Sequence, residues 1–152
     1  MEKVDVVIVG GGIGGMMFAH RLMEKKPETK IVLLEQGNDI AKRKCPIVDG
    51  KVDHCIKCNP CDIMDGMGGA GAFSDGKYII STEYGGWLPD FIEPRTVLKY
   101  IEEADQILMH FGATKERFIP SDELKQLCLR YDLHMQQAQL KHLGTDANYD
   151  TM

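Results

Sequence analysis

Val6-Val-Ile-Val-Gly10-Gly-Gly-Ile-Gly-Gly15 is the stretch that decides the fold. A largely apolar run from Val4 to Val9 empties into glycines, and a second apolar run, Ile31 to Leu34, ends in Glu35 about twenty residues further on. This is a dinucleotide-binding signature. Gly10 lets the chain turn sharply out of a strand. Gly12 removes the side chain where backbone must approach a pyrophosphate, and Gly15 lets the following helix pack close to the sheet. The helix that starts near Ile13 and Gly14 offers its first-turn N–H groups and the positive end of its dipole to the phosphates. Glu35, with Gln36 beside it, is expected to accept hydrogen bonds from both hydroxyls of an adenosine ribose. Its charge disfavours a ribose carrying a 2′-phosphate, hence NADP at this position.

At 152 residues, 43% of them hydrophobic and 27% charged, the chain is one soluble domain's worth of polypeptide. A net charge of -5 gives no general attraction to nucleic acid or to an anionic membrane surface. The apolar stretches are too short to span a bilayer, and Met1 to Val9 lacks the long apolar centre of a signal peptide, so a cytoplasmic protein is expected.

Met16, Met17, Ala19, His20, Leu22 and Met23 suit a helix that Pro27 ends. Strand, helix and strand in this order predict a right-handed βαβ unit with two parallel, buried strands. Periodicity then disappears from Gln36 to Lys77, a length that calls for a ligand or metal to order it. Tyr78 to Ile80 reads as a short strand, followed by a turn at Gly85 and Gly86 beside Trp87. Val97, Ile101, Ala104, Leu108 and Phe111 recur at helical spacing, with Pro94 at the first position and Gly112 as the C-terminal cap. Ser121 is expected to cap a further helix whose first turn holds Asp122 and Glu123. Its apolar face, Leu124, Leu127, Cys128 and Tyr131, makes Cys128 a core thiol. The tail from Leu133 to Met152 is ambiguous between strand and helix. With two clear parallel strands the sheet is incomplete at its C-terminal side, so further strands are expected from chain beyond Met152.

A second glycine segment runs from Met64 to Lys77, too rich in glycine for the interior of a helix or strand, and is expected to lie against a ligand. The stretches Val7 to Gly15, Arg43-Lys-Cys-Pro46 and Met67-Gly-Gly-Ala-Gly-Ala-Phe-Ser-Asp-Gly-Lys77 resemble a family of FAD-dependent dehydrogenases, within the two-dinucleotide-binding-domain flavoprotein group. His142-Leu-Gly-Thr-Asp146 resembles a motif of the same family. The resemblance implies a Rossmann-like FAD/NAD(P)-binding domain of α/β class over residues 1–152, forming the N-terminal portion of a longer flavoprotein, with 41–77 as a cysteine- and glycine-rich insertion. It implies that Gly10, Gly12, Gly15 and Glu35 hold the ADP half of FAD, with Ile13, Gly14, Gln36 and Arg43 as further cofactor-binding residues. Gly68, Gly69, Gly71, Ser74 and Gly76 are implied to lie along the pyrophosphate or the flavin. The whole protein is then an oxidoreductase, with NAD or a separate redox partner as its electron donor or acceptor and a small-molecule substrate that the sequence does not identify. The chain alone is expected to be inactive.

Four of the five cysteines fall between Cys45 and Cys61. Cys55, Cys58 and Cys61 at Cys-x-x-Cys spacing, with Cys45 as a fourth, suit an iron–sulfur cluster. Zinc competes, with His54 as a substitute ligand, and so do a redox-active dithiol and plain reduced thiols. His20 and His110 read as ordinary helix histidines, and no residue stands out as a general acid or base. A different reading of the same features is a non-catalytic nucleotide- or metal-binding module stabilised by the cysteine loop.

Overall fold

The computed structural model describes residues 3–74, 76–82, 86–117, 121–131 and 139–142. It shows an α/β chain that divides into two compact units, Met1–Ser74 and Asp75–Thr151. In the first unit the glycine motif lies between β1 (Val6–Val9) and α1 (Ile13–Lys25), and β2 (Ile31–Leu34) follows. The strands are parallel, in the register Val6↔Ile31 to Val9↔Leu34. Both ends of the pair are clamped. The Asp5 carboxylate accepts the Lys30 N–H at 2.9 Å, and the Gly10 N–H donates to the Leu34 carbonyl at 2.7 Å. This register brings Glu35, the residue after β2, beside the first glycine loop.

The two faces of the pair differ because side chains alternate along a strand. Ile8 is buried on the side toward α1, where its methyl group approaches Gly15. Val7, Val9 and Leu34 on the other face are 52%, 83% and 52% exposed. The expected burial of both faces is therefore corrected: α1 is the only α-helix of this unit among the described residues, and one helix covers one face. Between β2 and Ser74 the regular elements are the single 3-10 turns Ile40–Lys42 and Ala70–Phe73, in line with the loss of periodicity.

The second unit contains β3 (Lys77–Ile80), α2 (Pro94–His110), α3 (Asp122–Arg130) and β4 (Gln139–His142). Pro94 opens α2 as its spacing predicts, and Gly112, just after the helix, has a φ of +111° that favours glycine. The Ser121 hydroxyl accepts the Leu124 N–H at 3.2 Å and caps α3. Part of the ambiguous tail becomes β4, antiparallel to β3 with Lys77 opposite His142. Gly85, His134 and the Leu143 to Asp146 part of the proposed family motif lie outside the described residues.

Two expectations for this unit change. Leu127 and Tyr131 on α3 are 44% and 68% exposed, so Cys128 is a half-buried thiol on a largely open face and not a core residue. On α2, spacing singled out Val97, which is buried, yet the most buried residue is Asp105. Tyr78 donates its hydroxyl to Asp105 at 3.0 Å, and Arg117 pairs with the other carboxylate oxygen at 2.9 Å. A buried carboxylate persists only with such partners. Burial, with the carboxylate as acceptor, pushes the Tyr78 hydroxyl well above the usual tyrosine range.

Candidate functional site: a glycine-lined cradle at the strand ends

The first unit brings the two glycine segments together at the carboxyl ends of β1 and β2. Gly68 donates its N–H to the Gly11 carbonyl at 2.9 Å, and Met67 donates to the Asn38 carbonyl at 3.0 Å. Glu35 ties the same parts from inside. One of its oxygens accepts the Gly11 N–H at 2.6 Å, and the other accepts those of Gly37 and Gly66 at 2.9 and 3.0 Å. Gly37 packs so closely on Gly66 that a β-carbon on it would overlap the Gly66 nitrogen.

Arg43, which the resemblance implies as a cofactor contact, has a different place. It is buried, and its guanidinium donates to the carbonyls of Asp62, Ile63, Met67 and Gly69 at 2.7–2.8 Å while lying over the Phe73 ring. Four of its five N–H donors are thereby used on backbone. Arg43 shapes the second glycine segment and reaches no open space. No periodicity marks such a residue; the signal available in the sequence was a basic side chain inside a segment with no helix or strand to satisfy its carbonyls.

Between the two segments lies a cavity of about 420 Å³, lined by Gly10, Gly12, Glu35, Gln36 and Gly69, with Val9, Leu34, Met64, Asp65 and Gly66. Its size is that of a small-ligand pocket. Ile13 and Gly14 begin α1 beside it, and the Gly12 N-cap makes no side-chain capping bond, which leaves first-turn N–H groups for a ligand. Gly68 is buried behind the cavity. Gly71 and Ser74 lie in and just after the 3-10 turn, away from the lining, and Gly76 belongs to the second unit. Asp65 was missed by sequence reading. Its carboxylate accepts the Cys61 N–H at 2.9 Å, and it adds a second acid to the lining.

The Glu35 carboxyl is held below the usual glutamate range, first by the Gly37 N–H and then by that of Gly11; burial opposes them, and the Gly66 and Gln36 N–H groups add smaller downward contributions. A carboxylate whose folded pKa is depressed contributes stability above its unfolded pKa, and that stability is lost as pH falls through the folded value. Urea melts of the native chain should therefore show stability falling as pH drops from about 5 toward 3, with part of the slope carried by Glu35. Glu35→Gln should remove that part and cost about 2 kcal/mol at neutral pH, because an amide nitrogen must face an N–H donor.

Cys45, Cys55, Cys58 and Cys61 all border a separate cavity in this unit. Among the described residues, however, no three histidine, cysteine, aspartate or glutamate side chains stand close enough together to share an ion, His54 included. None of the five cysteines is in a disulfide. No described helix is long and apolar enough to cross a membrane.

Residues 5–46 match the family model described as lycopene cyclase protein. The chain is 43% identical over 51 residues to the mitochondrial L-2-hydroxyglutarate dehydrogenase of Dictyostelium discoideum, a match that covers 34% of this chain and 11% of that protein. It is 44% identical over 41 residues to the Caenorhabditis elegans protein of the same name, covering 27% of this chain and 10% of the relative. The Caenorhabditis briggsae protein is 46% identical over 41 residues, covering 27% and 9%. The matches thus span about a tenth of the length of these curated relatives. No solved structure matches at a significant level. The stretch matched by the family model, residues 5–46, contains β1, α1 and β2.

Proposed function

We propose that this chain is the FAD-binding portion of a flavin-dependent dehydrogenase, with a Rossmann-type βαβ unit that holds the ADP half of the cofactor. The observation that carries the reading is the meeting of both glycine segments around Glu35, at the carboxyl ends of two parallel strands where α/β sheets bind nucleotides. The residues present fit the group. The first turn of α1 would hold the pyrophosphate, with Gly12 and Gly69 adding no side chain beside it, and Gln36 and Met64 in the lining would flank the ribose and base. Glu35 has about four acceptor sites, and backbone N–H groups already take three. It therefore has capacity for at most one ribose hydroxyl, where the sequence reading expected two.

Glu35 and Asp65 together make the ribose end of the cradle repel a 2′-phosphate. When bound, the flavin supplies the redox chemistry, and the protein binds and orients it. The dehydrogenase class comes from the relatives' names. The substrate is not carried over, because the matches span about a tenth of the relatives' length. A cytoplasmic location belongs to this reading as well, although the three relatives are mitochondrial.

Titration of the chain with FAD, followed by flavin fluorescence, tests it. FAD should bind with ADP as a competitor, FMN should not bind, and 2′-phospho-ADP should compete at least tenfold more weakly than ADP, a difference of about 1.4 kcal/mol. Glu35→Arg should weaken FAD by more than that factor. Equal binding of FMN and FAD, or equal competition by the 2′-phosphorylated nucleotide, would overturn the assignment.

A further inference from the structure

Cys45, Cys55, Cys58 and Cys61 line one cavity of about 30 Å³ whose remaining walls are apolar apart from Asp62. Thiols drawn from a span of seventeen residues with no helix or strand do not gather around one space by burial alone, since Cys55 and Cys58 are both exposed. Two further features set the loop. The Cys55 sulfur accepts the Lys57 N–H at 3.4 Å, which orients it, and Lys57 has a φ of +56°, the one non-glycine residue in the left-handed region among those described. A lysine adopts that conformation at a cost of about 1 kcal/mol or more, and such strain gathers where a loop is shaped for a ligand. The far side of the loop is rigid. Arg43 holds the Asp62 and Ile63 carbonyls, and Asp65 holds the Cys61 N–H.

We propose that these four thiols form a tetrahedral site for one divalent ion of the zinc class. Four cysteine thiols with no histidine among the lining match the closed four-sulfur coordination of a structural zinc-class site. Among the described residues, no three of the thiols stand within sharing distance of one ion. Metal binding would draw the exposed Cys55 and Cys58 toward Cys45 and toward Cys61, whose N–H Asp65 holds, until each sulfur lies about 2.3 Å from the metal. The ligands bind as thiolates, so binding releases thiol protons to solvent and strengthens as pH rises. Asp65 connects this site to the nucleotide cradle, since it lines the cradle and bonds the Cys61 N–H.

The experiment is a titration of the reduced, metal-stripped chain with cobalt(II), then zinc(II), under anaerobic conditions. The expected result is one cobalt per chain with the strong visible bands of tetrahedral cobalt and a thiolate charge-transfer band, displaced by one equivalent of zinc. Cys58→Ser should weaken binding at least a hundredfold while circular dichroism shows the parent fold, and Cys128→Ser should leave it unchanged. The proposal is overturned if cobalt keeps its octahedral aqua spectrum, or if Cys58→Ser binds as tightly as the parent. Incubation with iron and sulfide that yields bound sulfide in stoichiometric amount would also overturn it, by assigning a cluster instead. No nucleotide enters the measurement, so its failure leaves the FAD cradle standing.

Discussion

Arg43→Ala destabilises the first unit by about 4 kcal/mol and abolishes FAD binding. Its side chain is buried, and removing it leaves the carbonyls of Asp62, Ile63, Met67 and Gly69 without their donor in a segment that has no ladder to replace it. Hydrogen bonds to a charged group contribute about 1.5–3 kcal/mol each, and water recovers part of the loss at the half-buried positions. For a chain of this size the change lowers the melting temperature by about 10 °C. Arg43→Lys does not restore it, because one ammonium cannot serve four carbonyls set around a planar fork. Calorimetry together with FAD titration checks this. A variant melting within about 2 °C of the parent would mean that the segment holds its shape without the guanidinium.

Gly15→Ala has an effect of similar size by a different route. A β-carbon at Gly15 would overlap the Gly10 carbonyl oxygen and press on the Ile8 side chain, so α1 must move away from β1. Overpacking of this kind costs about 1–3 kcal/mol. The larger consequence is for binding, since the first turn of α1 moves with the helix and FAD affinity should fall at least a hundredfold. Gly14→Ala is the matched control. Nothing lies within 4 Å of a β-carbon there, and alanine is the better helix former by up to about 1 kcal/mol, so stability should hold or rise. Equal losses for the two variants would show that helix propensity and not the strand contact governs this turn.

The elements that place the cradle were legible in local pattern. Apolar runs and glycines are short-range signals, and the register that brings Glu35 beside Gly11 follows from two strands of equal length joined by one helix. The caps of α2 and α3 were legible for the same reason, because Pro94, Gly112 and Ser121 act on their nearest neighbours. Asp105 was not, since a charged residue on a helix reads as solvent-facing until Tyr78 and Arg117, distant in sequence, are seen to satisfy it.

By itself, then, the sequence determined the βαβ unit, the acid at the end of β2 and the glycine turn between β1 and α1, because each rests on the conformational limits of a few adjacent residues. Only the tertiary structure decided that Glu35 spends most of its acceptor capacity on three backbone N–H groups and that Arg43 is a scaffold for Met67 and Gly69 rather than a ligand contact. It also decided that the four thiols from Cys45 to Cys61 border one cavity. The physical reason is common to all three. A polar side chain takes whichever partners the folded backbone brings within about 3 Å, and those partners come from segments whose separation along the chain carries no periodic signal.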